Sequence, residues 1–93
     1  MDKVLLIADD NKDIVDILKI YAQEEGYKTV CAYDGEQALK MQKEYNPVLI
    51  LLDVMMPKIN GYDVCRQIRQ TSNVPIIMVT AKSEEADRIL GLD

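Results

Sequence analysis

The sequence predicts an α/β domain built on a parallel sheet with helices on both faces. Four short apolar runs recur along the chain, and segments with the apolar spacing of helices separate them. Strands that alternate with helices pair in parallel through right-handed crossovers, which place helices on both faces of the sheet. With 93 residues, the chain is expected to form a single domain over residues 1–93.

The four strands are predicted at the apolar runs. Short, nearly continuous apolar runs rich in β-branched residues are typical of strands that are buried on both faces. The runs cover Val4 to Ala8, Thr29 to Ala32, Val48 to Leu52, and Ile76 to Val79.

The first helix is predicted from about Asn11 to Glu25, and Gly26 is expected to end it. Its apolar residues have the spacing of a single helical stripe. They are Ile14, Ile17, Leu18 and Tyr21.

Three further helices follow in the predicted order. The segment Asp34-Gly35-Glu36-Gln37 resembles a capping box that opens the second helix, with Ala38, Met41 and Tyr45 facing inward. The third runs from Asp63 to Gln70, with Val64, Cys65 and Ile68 buried, and the fourth starts at Ser83 and ends near Gly91.

Composition and charge exclude several classes of protein. The net charge of −5, with no histidine, argues against binding of nucleic acid, which requires clustered basic residues. Apolar runs of about five residues are too short to span a membrane or to form a signal peptide. The two cysteines, Cys31 and Cys65, are expected to be reduced thiols packed in the core of a cytoplasmic protein.

Polar side chains follow three of the predicted strands. Asp9 and Asp10 follow the first, Asp53 the third and Thr80 the fourth. Ligands of open α/β sheets bind beyond the carboxyl ends of the strands. If the first and third strands are neighbours, three carboxylates converge, and their mutual repulsion is costly unless a cation lies among them. Oxygen ligands without histidine favour Mg²⁺, with Mn²⁺ as a substitute.

Each of these residues also has a simpler interpretation. Asp10 or Asn11 could cap the first helix, and Asp53 and Thr80 could be turn residues at strand ends. Their joint placement at three strand ends favours the metal site.

Together these residues resemble the receiver domain of bacterial two-component response regulators. The resemblance rests on the paired acids, on Asp53-x-x-Met56-Pro57-x-x-x-Gly61 and on Thr80-Ala81, and it runs from Val4 to Asp93. It implies a flavodoxin-like, doubly wound parallel sheet with strand order 2-1-3-4. Such a domain is not a classical enzyme, although the family catalyses its own aspartyl phosphorylation and dephosphorylation.

The resemblance also implies a metal site and a nucleophile. Asp53 would accept a phosphoryl group from a sensor histidine kinase. Asp10 and Asp53 would bind Mg²⁺ directly and Asp9 through water, with the backbone carbonyl of Met55 as a further ligand.

Residues after the fourth strand complete the implied site. The Thr80 hydroxyl would donate a hydrogen bond to the phosphoryl group, and Ala81 would leave space for it. Met55 and Lys82 occupy positions that flank the attacking water in this family.

The sequence departs from the family after its fourth helix. Receivers continue with a fifth strand, a lysine before a proline and a last helix, whereas no Lys-Pro pair occurs here. We therefore expect a truncated domain in which phosphorylation is impaired. Lys58 and Lys82 match other family positions and are expected to face solvent.

Truncation would leave the strand Ile76 to Val79 as an apolar sheet edge and expose part of the stripe of the first helix. An unprotected edge pairs with other chains, so a homo-oligomer or swapped dimer is expected.

The parent protein and two competing functions complete the sequence-based expectations. Residues Asp87 to Asp93 resemble receivers that precede winged-helix DNA-binding domains, which predicts a transcriptional regulator. One alternative is a fragment that associates through its sheet edge without accepting phosphate. The other is a metal-dependent phosphatase, but such enzymes carry a second aspartate where this chain has Met55.

Overall fold

The structure is a computed structural model that describes residues 3–79. Strands and helices alternate through this part of the chain. In order they are β1 (Val4–Ala8), α1 (Lys12–Glu24), β2 (Lys28–Ala32), α2 (Gly35–Tyr45), β3 (Leu49–Asp53), α3 (Gly61–Arg69) and β4 (Ile76–Val79). The predicted helix at 83–91 lies outside the described residues.

The four strands form one parallel sheet in the order β2-β1-β3-β4, which confirms the predicted fold class and strand order. β1 and β3 are neighbours, with Ala8 paired to Leu52. Consequently, the residues that follow β1 lie beside the last residue of β3.

Alternate residues of the central strands pack into two apolar layers. Leu6 and Ala8 of β1 face α2 and α3 together with Ile50 and Leu52 of β3. On the other face, Leu5 and Ile7 pack with Val15 of α1. The central strands are therefore buried on both sides, which explains why they appear in the sequence as continuous apolar runs.

The face of α1 that packs on the sheet differs from the predicted stripe. Val15, Leu18 and Ala22 contact the sheet, whereas Ile17 and Tyr21 are 54% and 64% exposed. The apolar arc of α1 is wider than the strip of helix that one sheet can cover, and the small Ala22 allows close packing. Part of the predicted stripe is therefore exposed. Tyr45 on α2 was predicted to face inward, and that prediction was wrong, because Tyr45 is exposed.

Exposed apolar residues are found on α1 and also on β4, on the same face of the sheet. Burial raises the pKa of the Cys31 thiol on β2, and the charges of Lys19 and Asp16 also act on it, Lys19 lowering this pKa and Asp16 raising it. At about 100° per residue, Asp16 and Lys19 fall on a different side of α1 from the exposed Ile17 and Tyr21. Ile77 of β4 is 46% exposed. It pairs with Leu51, which packs in the layer that contains Val15 of α1, so Ile77 lies on the same face of the sheet as α1.

The helix boundaries follow from local capping. Glu25 ends α1, and Gly26 follows with φ 90°, so the predicted stop is confirmed. α3 begins at Gly61, two residues before the predicted start, because the Asn60 side chain accepts the backbone N–H of Asp63 and caps the helix.

Candidate functional site: an acidic cluster at the strand ends

Three carboxylates meet at the carboxyl ends of β1 and β3. One side-chain oxygen from each of Asp9, Asp10 and Asp53 lies within 4.8 Å of the others. Asp9 is 4% exposed and Asp53 6%, whereas Asp10 is open to solvent. The structure thus brings together the three acids that the sequence predicted to converge.

Hydrogen bonds distinguish the cap of α1 from the acidic cluster. Asn11 caps α1, because its side-chain oxygen accepts the backbone N–H groups of Asp13 at 2.9 Å and Ile14 at 3.3 Å. The Asn11 N–H in turn donates to Asp9 Oδ1 at 2.8 Å. Because Asn11 caps the helix, the Asp10 carboxylate is available as a member of the acidic cluster.

Asp53 is held at the last position of β3. Its Oδ1 accepts the backbone N–H of Met55 at 3.3 Å. The buried strand behind Asp53 and the hydrogen bond from Met55 restrain the carboxylate, as is required of a group that must meet a reactant in one orientation.

The cluster is electrostatically costly without a cation. Burial raises the pKa of Asp53 to about 6, and the charges of Asp9 and Asp10 add to the effect, while the Met55 N–H opposes it. The pKa of Asp9 is also raised, chiefly by burial and further by Asp10, against the hydrogen bond from Asn11. Both shifts mean that the folded protein disfavours full ionisation of the site.

The donor set fits Mg²⁺. All three side chains offer carboxylate oxygens, two are shielded and one faces solvent, so a partly hydrated divalent ion would relieve the repulsion. Mg²⁺ characteristically takes one or two carboxylates and keeps several waters. A ligand role for the Met55 carbonyl stays a prediction, and Thr80, Ala81 and Lys82 lie outside the described residues.

The loop between β3 and α3 packs tightly around Asp53. Met56 is buried in the core on the α2 and α3 face, whereas the side chain of Met55 is exposed. Gly61 lies so close to the Asp53 carbonyl that a side chain there would overlap it. Position 61 therefore has no space for a side chain.

Two contacts of this loop were not anticipated from the sequence. Lys58 faces solvent as predicted, but its Nζ also lies 3.8 Å from Asp34 Oδ2. Gly35 also packs directly against Ile59. Both contacts join residues more than 20 positions apart, and the only local signal was a glycine at the first position of α2.

Comparison with known families identifies this arrangement. The model of the response regulator receiver domain matches residues 5–93. The chain belongs to this family. Solved structures of receivers are also similar to this receiver domain in fold.

Three similar structures represent the comparison. The receiver domain of Francisella response regulator 1452 is 31% identical with a TM-score of 0.81, over 97% of this chain and 77% of that chain. A putative response regulator from Chloroflexus aurantiacus J-10-fl is 33% identical with a TM-score of 0.85, over 99% and 78%. A structure of the CheX-CheY-BeF3-Mg²⁺ complex from Borrelia burgdorferi matches at 27% identity with a TM-score of 0.80, over 97% and 71%.

The helices of residues 3–79 were also compared with the length and hydropathy that a membrane span requires. None of them is both long and apolar enough to cross a bilayer.

Proposed function

We propose that this receiver domain, residues 1–93, accepts a phosphoryl group on Asp53 from a sensor histidine kinase of a two-component system, in a Mg²⁺-dependent reaction. The observation that supports this most is the meeting of three carboxylates at the ends of two adjacent strands, with Asp53 fixed at the end of β3. The family match and the similarity to a receiver solved with BeF3 and Mg²⁺ support the same assignment.

Asp53 performs the central step as the nucleophile. Since the pKa of its carboxyl group is about 6, Asp53 is ionised in most molecules near neutral pH, even without a cation. Met55 N–H holds Oδ1, and the other oxygen forms the new O–P bond as the N–P bond of the kinase phosphohistidine breaks. The released imidazole nitrogen takes a proton from solvent.

The remaining residues of the site would bind the metal ion and the phosphoryl group. Asp10 and Asp53 would hold Mg²⁺ directly and Asp9 through water, and the Met55 carbonyl would be a further ligand. When bound, Mg²⁺ supplies the positive charge that offsets the phosphoryl oxygens. Thr80 and Ala81 lie outside the described residues; in this proposal the Thr80 hydroxyl would donate a hydrogen bond to the phosphoryl group and Ala81 would leave space for it.

The phosphoryl mimic beryllofluoride tests this function. With the full chain and Mg²⁺, fluorine NMR should show a bound signal that disappears on chelation of Mg²⁺ and in Asp53→Asn. Asp16→Asn, which removes an exposed carboxylate from α1, should retain the signal. The proposal fails if the wild-type chain gives no bound signal, or if the signal survives in Asp53→Asn.

The wider setting of the domain is also proposed. The resemblance of Asp87 to Asp93 to receivers joined to winged-helix domains favours a cytoplasmic transcriptional regulator as the parent protein. Acidic charge favours a domain that contacts its kinase and not the nucleic acid.

A second function, self-association, is favoured by exposed apolar residues of α1 and β4 on one face of the sheet. Ile17, Tyr21 and Ile77 are all about half exposed or more, and an apolar sheet edge readily pairs with another chain. We propose that a second copy of the chain covers this surface, by direct pairing or by exchange of an element.

Native mass spectrometry across a concentration series checks the association. A dimer should grow with concentration, and Ile77→Lys should return the chain to a monomer. Tyr62→Lys, on the exposed side of α3, should leave the dimer intact. A wild-type chain that stays monomeric throughout would exclude the association.

A further inference from the structure

The start of α2 is in direct contact with the loop that follows Asp53. Gly35, the first residue of α2, is buried, and its N–H donates to the Pro57 carbonyl oxygen at 3.2 Å. The preceding residue, Asp34, lies 3.8 Å from Lys58 through their charged atoms. The N-cap residue and the first residue of α2 therefore contact two consecutive residues of the loop.

This contact leaves no space for a side chain at position 35. A Cβ there would overlap the Ile59 carbonyl oxygen and would lie 2.6 Å from Ile59 Cβ and 2.8 Å from its carbonyl carbon. Two of these atoms belong to the backbone, so they cannot turn away as the end of a flexible side chain would. Any side chain at Gly35 must displace the loop, the helix or both.

The loop is too constrained to absorb such a displacement locally. Lys58 has φ 69°, a conformation that costs free energy for a residue with a side chain. Its two neighbours close a γ-turn, in which the Ile59 N–H donates to the Pro57 carbonyl at 2.8 Å. Beyond the turn, the Gly61 N–H donates to the Val54 carbonyl at 2.8 Å, which ties the far end of the loop back to its beginning.

The beginning of the same loop orients Asp53. Met55 lies two residues before Pro57, and its N–H is the hydrogen-bond donor to Asp53 Oδ1. We propose that Gly35 is a positioning residue for Asp53. Because Gly35 has no side chain, the loop can lie where the Met55 N–H donates its hydrogen bond to the Asp53 carboxylate. The inference rests on the proposed role of Asp53 as phosphoacceptor, and Gly35 acts through the loop without touching the reacting atoms.

Gly35→Ala tests the inference, because alanine favours a helix more than glycine does, so a loss must arise from the close approach. A displacement of about 1 Å at a reacting group costs on the order of 100-fold in rate. We therefore expect the rate of phosphorylation by acetyl phosphate with Mg²⁺ to fall roughly 10- to 100-fold. The Met55 amide resonance should shift in the same variant, whereas Glu36→Ala, at the next and exposed position, should change neither quantity.

A second substitution separates positioning from general damage to the fold. Lys58→Gly relieves the constraint at positive φ and lets the loop move. Gly35→Ala should therefore lose less rate in the Lys58→Gly background than alone, a non-additivity that damage at an unrelated site does not produce. If Gly35→Ala alone does not fold, the double variant is compared with Lys58→Gly alone.

Two results would overturn the inference: a folded Gly35→Ala chain with the wild-type rate and Met55 resonance, or losses that add fully with Lys58→Gly. If the wild-type chain itself takes no phosphoryl group, the function proposed for Asp53 fails. In that case the Met55 resonance still decides whether Gly35 positions the loop.

Discussion

Asp53→Asn is expected to raise the free energy of unfolding of the metal-free domain, and urea denaturation at pH 8 with a chelator present measures this change. The Asp53 carboxyl has a pKa of about 6 in the folded chain against 3.8 as its ordinary value. At about 1.4 kcal/mol per pKa unit, the ionised group costs up to about 3 kcal/mol of stability, which the neutral amide removes.

The pH dependence of this difference has a defined sign. A raised pKa in the folded state means that the folded chain binds the proton more tightly than the unfolded chain does. The stabilising contribution of that proton is complete below pH 3.8 and is lost as the pH rises through about 6. Wild type and Asp53→Asn should therefore be similarly stable near pH 4, diverge as the pH rises from about 4 to about 6, and keep a nearly constant difference at higher pH.

Asp13→Asn provides the control for this experiment, because Asp13 is an exposed carboxylate in the first turn of α1. It should not reproduce the gain in stability. Saturating Mg²⁺ should stabilise the wild type more than Asp53→Asn, since only a state that binds the ion gains from it. Equal stability of wild type and Asp53→Asn at pH 8 without Mg²⁺ would show that the cluster carries no such cost.

Loss of one carboxylate should weaken Mg²⁺ binding strongly. We expect Asp10→Asn and Asp53→Asn each to raise the dissociation constant for Mg²⁺ about 10- to 100-fold, because each removes a full negative charge from beside the ion. Asp9→Asn should have a smaller effect, as this side chain contributes through water and also accepts the Asn11 N–H. Isothermal titration calorimetry measures all three.

The same control, Asp13→Asn, should bind Mg²⁺ as the wild type does. Equal affinity in Asp10→Asn and wild type would remove Asp10 from the ligand set. An effect of Asp13→Asn as large as that of Asp10→Asn would mean that general acidity, and not the cluster, attracts the ion.

The sequence predicted the sheet and the acidic cluster well, because both depend on local pattern. Strands buried on two faces appear as apolar runs, and the carboxyl ends of adjacent parallel strands lie together. The joint placement of Asp9, Asp10 and Asp53 follows from these two facts once β1 and β3 are neighbours. Of the residues predicted to lie in strands, only Val48 falls outside the observed strands. It precedes β3 and is exposed.

Features that depend on distant contacts were not predictable in this way. The sequence marks Ile17 and Tyr21 as apolar, but only the position of α1 over β1 and β2 decides that they are exposed. The contact of Gly35 with Ile59 likewise requires the second helix and the third loop to be placed in space. The start of α3 was misplaced because Asn60-Gly61 has the local pattern of a turn, whereas Asn60 caps the helix.

The central claim is that Asp53 accepts a phosphoryl group with Mg²⁺, and intact-mass analysis after incubation with acetyl phosphate tests it most directly. The account predicts one added phosphoryl group in the wild type, mapped by peptide analysis to Asp53, and none after removal of Mg²⁺ or in Asp53→Asn. A wild-type chain that gains no phosphoryl group, or an adduct that persists in Asp53→Asn, would contradict it.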